Sequence, residues 1–325
     1  MTATGPLDTT GPDGPITSVG LDGRLGTVEP DGPVGLVGLG LVGAALGRRL
    51  AGAGFTVLGF DRSAQATQAW AAGGGRLAAS LRELGQGCVR VVIAVFDTDG
   101  VLEVVEGVDG LLASDGRTPP EAQLLIDCST GEPDALQALA ARLAARRITF
   151  IEAPLSGSSQ QIADGTATML LGGEGATIAE HSALLTALAP QRIHVGGAGM
   201  GARAKLATNL VLGLNRAVLA EGLVFAEKLG IAPATFLELV LATPARSDAA
   251  LAKGARMVSG EFTPPQSRIH QHLKDVQLML ESAKTAGQRL PFSEAHAALL
   301  RAAVDAGDGE LDNAAIVRQV RREAR

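Results

Sequence analysis

The chain contains no tyrosine and one tryptophan (Trp70), and aromatics make up only 3% of its 325 residues. Platforms that stack single-stranded nucleic acid are built from aromatics, so this scarcity speaks against that class of partner. Cysteine is equally scarce. Cys88 and Cys128 both lie inside apolar runs and suggest neither a disulfide framework nor a metal cluster. There is no large excess of charge, with 28 basic against 34 acidic residues and a formal net charge of -6. That balance offers little to draw the chain to nucleic acid or to an acidic bilayer. No run of eighteen uncharged apolar residues occurs, and the first basic residue is Arg24. The pattern predicts no membrane span and no secretory signal, hence a cytoplasmic protein.

What is abundant is apolar and small: 46% hydrophobic residues and 42 glycines, with a mean hydropathy of +0.22. The length exceeds what one compact core usually takes, so two domains are expected. Residues 1–31, rich in Gly, Pro, Thr and Asp, read as a disordered tail. Over 32–195, short β-rich runs alternate with helical patterns. The runs are Val34–Val37, Thr56–Phe60, Val89–Val95, Leu124–Asp127, Thr149–Glu152, Thr168–Leu171 and Arg192–Val195. Helical patterns such as Ser63–Ala72, Asp134–Arg147 and Ala176–Leu188 lie between them, the signature of βαβ units and a mostly parallel sheet covered on both faces. After Val195 the strand signal stops. Residues 196–325 read as all helix, opening with one long pattern over Ala202–Leu229 and continuing over about 233–242, 247–257, 267–286, 292–306 and 312–322.

The first buried run leads directly into Gly38-Leu39-Gly40-Leu41-Val42-Gly43, then a helix pattern, then a second strand ending at Asp61. The glycines have separate purposes: a tight turn, close approach of backbone to a pyrophosphate, and close packing of helix on sheet. The helix amino terminus adds unpaired N–H groups and a positive dipole end. Asp61 follows Gly38 at the distance expected of an acid that accepts from ribose hydroxyls. The arrangement points to a dinucleotide cofactor. Asp61 would repel a 2′-phosphate, which favours NAD, whereas Arg62 beside it would pair with that phosphate and keeps NADP open.

Ligands of open parallel sheets bind beyond the carboxyl ends of the strands. Two loops there carry hydroxyls: Asp127-Cys128-Ser129-Thr130, and Ala153-Pro154-Leu155-Ser156-Gly157-Ser158-Ser159. Successive N–H groups and hydroxyls over Ser156-Gly157-Ser158 suit a carboxylate, although an ordinary polar turn would look the same. In the long helix, Lys205 and Asn209 share a face at i, i+4 among Leu, Val and Ala. A lysine facing an apolar interior has its pKa lowered by desolvation and becomes a usable proton donor or acceptor. The helix pattern by itself equally fits a snorkelling lysine.

Taken in order, the glycine loop, Asp127-Cys128-Ser129-Thr130, Ala153-Pro154-Leu155-Ser156-Gly157, Gly199-Met200-Gly201 with Lys205 and Asn209, and Lys274-Asp275 resemble the β-hydroxyacid dehydrogenase family. The resemblance is to its 3-hydroxyisobutyrate dehydrogenase group and covers about residues 33–322. It implies a Rossmann-type domain, a helical second domain of the 6-phosphogluconate dehydrogenase type, and NAD(P)-linked oxidation of a small 3-hydroxy acid. It also implies a homo-oligomer, dimer or tetramer. By the same resemblance Lys205 is the catalytic lysine and Asn209 its supporting asparagine. Ser129 and Thr130 lie near nicotinamide and substrate, Ser156, Gly157 and Ser158 hold the substrate carboxylate, Val95 and Phe96 flank a cofactor ribose, and Lys274 contacts the cofactor.

The chain departs from the family pattern at Ser158-Ser159-Gln160-Gln161, where glycines are usual, at Thr208, and at Ile269 and His270 before the Lys-Asp pair. These positions surround the expected substrate and bear on its identity. Other readings stay open: reduction of a small semialdehyde acid, an imine reductase, or a nucleotide-binding scaffold without turnover. His270 and His272 diverge at i, i+2 on a helix and have no third ligand, so no metal is expected.

Overall fold

Apolar four-residue runs separated by turn residues become the strands of a parallel sheet in a computed structural model that describes residues 32–113 and 122–324. The tail expected over 1–31 lies outside the described residues. The first half runs β1 (Val34–Val37), α1 (Leu41–Gly52), β2 (Val57–Phe60), α2 (Ala64–Ala72), β3 (Arg76–Leu77), α3 (Leu81–Gly87), β4 (Arg90–Ile93) and α4 (Thr98–Glu106). It continues with β5 (Leu124–Asp127), α5 (Pro133–Ala145), β6 (Thr149–Glu152), β7 (Leu155–Ser156), α6 (Ser159–Ala163), β8 (Thr168–Gly172), α7 (Gly175–Glu180), α8 (Ser182–Leu188) and β9 (Gln191–Gly196). The strand order is β3-β2-β1-β4-β5-β6-β8-β7, with β9 on β8. The six strands from β3 to β6 are parallel, and β8 runs antiparallel to β6 and β7.

Alternation along each strand divides the core between the two faces of the sheet. Leu36 and Ile126 join one buried cluster with Leu46 and Met169, while their neighbours Val37 and Leu125 join another with Val91 and Leu139. The topology reverses beside β1, whose neighbours are β2 and β4. The carboxyl ends of those strands carry the glycine loop and the Val95-Phe96 segment.

The second half is helical, as expected: α9 (Met200–Lys228), α10 (Pro233–Ala242), α11 (Asp248–Ser259), α12 (Ile269–Thr285), α13 (Pro291–Ala303) and α14 (Ile316–Glu323). A third cluster, including Leu219, Leu223, Val276, Met279, Leu300 and Ile316, holds it together. The pattern read over 292–306 ends as an α-helix at Ala303, because a π-turn over Val304–Asp308 contains Gly307 at φ 85°. The pattern read over Ala176–Leu188 is two helices that meet at His181. The two-residue strands β3 and β7 carry too little periodicity to be read from sequence.

An 18-residue stretch of α9 reaches a mean hydropathy of 1.3, enough by length and composition to cross a membrane. Here α9 is a core helix packed on α10, α11, α12 and α14, and its inner face buries Lys205, Asn209 and Arg216. Its start is held by a residue the sequence reading missed. Glu152, at the end of β6, accepts from Gly199 N and from Ala202 N (2.8 Å), which fixes α9 to the sheet. Burial raises the Glu152 carboxyl pKa despite those donors.

Candidate active site

The glycine loop leaves no room for side chains where it packs. A Cβ on Gly43 would lie 1.7 Å from Gly38 O, and one on Gly38, at φ 90°, would lie 2.2 Å from Ala94 O. Gly40 differs, since a Cβ there meets nothing within 4 Å and would project into the cavity that Gly40 lines. Gly40 is also the N-cap of α1 and gives no side-chain cap, so the first-turn amides remain without intrahelical partners. At the end of β2, Asp61 accepts from Leu39 N and Ser63 N, both at 2.7 Å. Beside it Arg62 pairs with Glu103 at 2.8 Å, both side chains well exposed. An open backbone cradle at a helix amino terminus, with a fixed carboxylate at the next strand end, fits a dinucleotide.

From that cradle a cavity of about 430 Å³ continues past Val95, Phe96, Ser129 and Thr130 to the inner face of α9. Gly38, Gly40, Leu41, Val42, Asp61 and Arg62 line one end, and Lys205 and Asn209 line the other. The helical half closes over it through Lys274, whose Nζ donates to Phe96 O and Thr130 O at 2.7 Å each and lies 3.0 Å from Asp275 Oδ1. An ammonium has three donors. Two of those of Lys274 go to backbone carbonyls of the sheet half, so it works as a tie between the halves, and it is not among the cavity-lining residues. Phe96 stacks on His270 with ring centroids 5.5 Å apart, a second tie across the cleft.

Lys205 is buried, and its Nζ donates to Leu155 O (2.5 Å) and Asn209 Oδ1 (3.0 Å). Asn209 Nδ2 in turn donates to Asp275 Oδ2 at 3.1 Å. This orients the amide with its oxygen toward the lysine. Burial lowers the Lys205 pKa to about 8, Asp275 opposes that shift, and Lys274 and Arg216 add to it. A neutral amine keeps two N–H donors, so both hydrogen bonds of Lys205 survive deprotonation. The proton that titrates is therefore the one facing the cavity.

Among the loop residues, Ser129 is buried and its Oγ accepts from Val95 N at 3.0 Å, while its own N donates to Asp127 Oδ1 at 2.9 Å. Burial pushes the Asp127 carboxyl up to about 6. The departure Ser158-Ser159-Gln160-Gln161 forms the start of α6. Ser158 Oγ accepts from Gln161 N, and Gln161 Oε1 accepts from Ser158 N at 2.9 Å, a closed capping box. Gly157 and Ser158 line the cavity, with Gly157 at φ 151°. Ser156 does not. It pairs with Thr168 in β7–β8, one strand position on from the cavity-lining Leu155, and alternation turns it the other way. Leu39 and Gly43 likewise lie behind the cavity surface, the first in the core and the second against Gly38.

Asp275 entered the sequence reading only as part of the Lys274-Asp275 pair, with no role of its own, and Arg216 was not singled out. The signal for Arg216 was available, since it continues the Lys205–Asn209 face of α9 at i+7 from Asn209, but one arginine on a helix has no spacing signature of its own. His272 packs against His296 (5.1 Å) and is kept neutral by burial, while His270 faces Phe96. Among the described residues no group of three or more His, Cys, Asp or Glu is placed to hold a metal ion.

Comparison with known proteins agrees with this geometry. Residues 33–197 match the model of the NAD binding domain of 6-phosphogluconate dehydrogenase. Residues 199–320 match that described as NAD-binding of NADP-dependent 3-hydroxyisobutyrate dehydrogenase. The chain is 28% identical over 284 residues to L-threonate dehydrogenase of Cupriavidus necator, covering 87% of this chain and 94% of that protein. It is 28% identical over 227 residues to 2-hydroxy-3-oxopropionate reductase of Escherichia coli, covering 70% and 76%. The crystal structure of 3-hydroxyisobutyrate dehydrogenase from Salmonella typhimurium superposes with a TM-score of 0.77 at 28% identity, covering 89% of this chain and 99% of that one.

Proposed function

The chain belongs to the β-hydroxyacid dehydrogenase family and is an NAD(P)-dependent enzyme acting on CH–OH groups; from that premise we propose that it interconverts a small 3-hydroxy acid and its carbonyl product, with Lys205 as general acid and base. The observation that carries this reading is the buried series Lys205–Asn209–Asp275, set at the end of a cavity whose other end is the glycine loop. Bound nicotinamide supplies the hydride acceptor. Lys205 takes the hydroxyl proton on the face left free by Leu155 O and Asn209, and returns it to the alkoxide in the reverse direction. Asn209, held by Asp275, keeps the amine aimed. Gly157 and Ser158, with Ser129 behind, offer the polar surface for the substrate carboxylate.

NAD is the preferred nucleotide in this reading. In this reading the Asp61 carboxylate repels a 2′-phosphate, and the Arg62 guanidinium that would offset that repulsion is paired with Glu103. Because the relatives include a threonate dehydrogenase and a hydroxy-oxopropionate reductase, polyhydroxy acids and semialdehyde acids belong in the substrate panel beside 3-hydroxyisobutyrate. Assembly into a homo-oligomer is supported by one exposed stripe on α9, Val211, Val218, Phe225 and Leu229, which is apolar and more than half exposed.

The test is Lys205→Met assayed by nicotinamide absorbance with both cofactors across that panel. Turnover falls at least about a hundredfold while cofactor affinity stays within about threefold. Near-normal turnover in the variant removes Lys205 from the chemistry.

A further inference from the structure

On α9 the cavity-facing positions are Lys205, Asn209, Leu212 and Arg216, spaced by four, three and four residues along one face. Arg216 stands three helical turns beyond Lys205, about 16 Å along the axis, and helical side chains lean back toward the amino terminus. The guanidinium thus lies farther along the same cavity, with the Leu212 side chain between the two cations. Arg216 is 5% exposed, yet among the described residues it makes no hydrogen bond and no ion pair.

Its neighbours explain why the protein leaves it unpaired. The two carboxylates that reach it electrostatically are Asp275 and Asp312, and each is already held. Asp275 Oδ2 accepts from Asn209 Nδ2 (3.1 Å), and its Oδ1 forms an ion pair with the Lys274 ammonium at 3.0 Å. Asp312, fully buried, accepts from Lys253 (2.8 and 2.9 Å), Gln266 N (2.8 Å) and Ala314 N (3.0 Å), with Arg256 at 3.3 Å. His272 and His296, also beside it, are held neutral by burial and by the guanidinium itself. A buried cation without a protein partner is costly to a fold. This one is turned into the same cavity as the reacting lysine.

We propose that Arg216 is the receptor for a second anionic group of the substrate, so that the hydroxy acid turned over here carries a carboxylate or phosphoryl group at the end remote from its carbinol. This rests on the reading that the carbinol faces Lys205. The planar fork of a guanidinium matches either oxyanion with two parallel N–H···O bonds. Leu212 supplies an apolar wall for the methylenes between the two ends of such a molecule. A monocarboxylate of the same length would fill the cavity and leave the cation unanswered.

The experiment is calorimetric titration of the NADH-loaded protein with size-matched acids. The probes are 2-(hydroxymethyl)pentanoate, 2-(hydroxymethyl)glutarate and the latter's counterpart with a phosphonate in place of the distal carboxylate. The wild type binds at least one of the two doubly anionic acids about thirtyfold or more tighter than the pentanoate, and the preferred one identifies the distal group. Arg216→Met brings that ratio to within threefold, whereas Arg216→Lys keeps part of it. A wild-type ratio within threefold for both acids overturns the proposal, without any variant having to fold. So does a ratio that survives intact in a folded Arg216→Met protein. NAD(P)+ reduction by the same acids is followed in parallel. Turnover without binding discrimination overturns the Arg216 proposal alone. Discrimination in a protein that turns over none of a broad panel of hydroxy acids overturns the reaction and leaves the anion site standing.

Discussion

The environment of Lys205 predicts a pH profile that a single substitution should move in a known direction. Four causes set the amine at about pH 8: burial and the cations Lys274 and Arg216 lower it, while Asp275 raises it. With Lys205 as the proposed general base, the neutral amine is the active form for alcohol oxidation, so kcat/KM should rise with slope one on a logarithmic scale up to about pH 8 and then level. Asp275 acts through the intervening Asn209 side chain. At an effective dielectric of about 20, a charge at that remove contributes roughly 1–2 kcal/mol, or about one pH unit. Asp275→Asn keeps an oxygen to accept from Asn209 Nδ2 and removes the charge. The break should therefore move to lower pH by about one unit, and the rate below the old break should rise relative to the plateau. The assay is kcat/KM for the best acid of the panel between pH 5.5 and 10, each protein at saturating cofactor. An unmoved break, or a shift toward higher pH, would refute the assignment of that ionisation to Lys205. Loss of Lys274's ion pair loosens the tie across the cleft and lowers the plateau, but it cannot move the break upward.

Gly40→Ala should melt within about 2 °C of the wild type, since no protein atom meets the new methyl, yet bind NAD at least about tenfold more weakly by titration calorimetry, because that methyl projects into the pyrophosphate approach. Gly43→Ala is the contrasting case: a Cβ 1.7 Å from Gly38 O should appear as a lost or strongly lowered melting transition. Asp127, raised to about 6 by burial, binds its proton more tightly folded than unfolded. Its cost is absent below about pH 4, grows through the window up to about pH 6, and is fully present above it. Asp127→Asn should accordingly stabilise the protein by roughly 2–3 kcal/mol at pH 7 and by little at pH 4 in urea titrations. Lys253→Met should remove the main cation from the fully buried Asp312 and cost about 3–5 kcal/mol by the same measurement.

The βαβ alternation was legible because parallel strands buried on both faces must be short apolar runs, and Val34–Val37, Leu124–Asp127 and Thr149–Glu152 are found where the residues indicated. The glycine loop was legible for a related reason: contacts as close as Gly43 to Gly38 O admit no other residue type. Hydroxyls carry no such constraint. Ser156 and Ser158 looked alike along the chain, yet strand pairing turns Ser156 out of the cavity while the capping box brings Ser158 to its wall. Lys274 was read from the resemblance as a cofactor contact, and only packing shows that two backbone carbonyls take its ammonium.

Local order along this chain, its strand and helix periods, the backbone cradle and the face shared by Lys205 and Asn209, follows from residue types a few positions apart, and the amino-acid sequence determines it unaided. Which cations are neutralised does not follow, because the partners lie far away in the chain. Asp275 stands 66 positions from Asn209 and Asp312 stands 59 from Lys253. Only the packing of α9, α11 and α12 against one another decides that those carboxylates are taken and that Arg216 is left facing the cavity. Charge is read residue by residue, but its pairing is settled by distance in space.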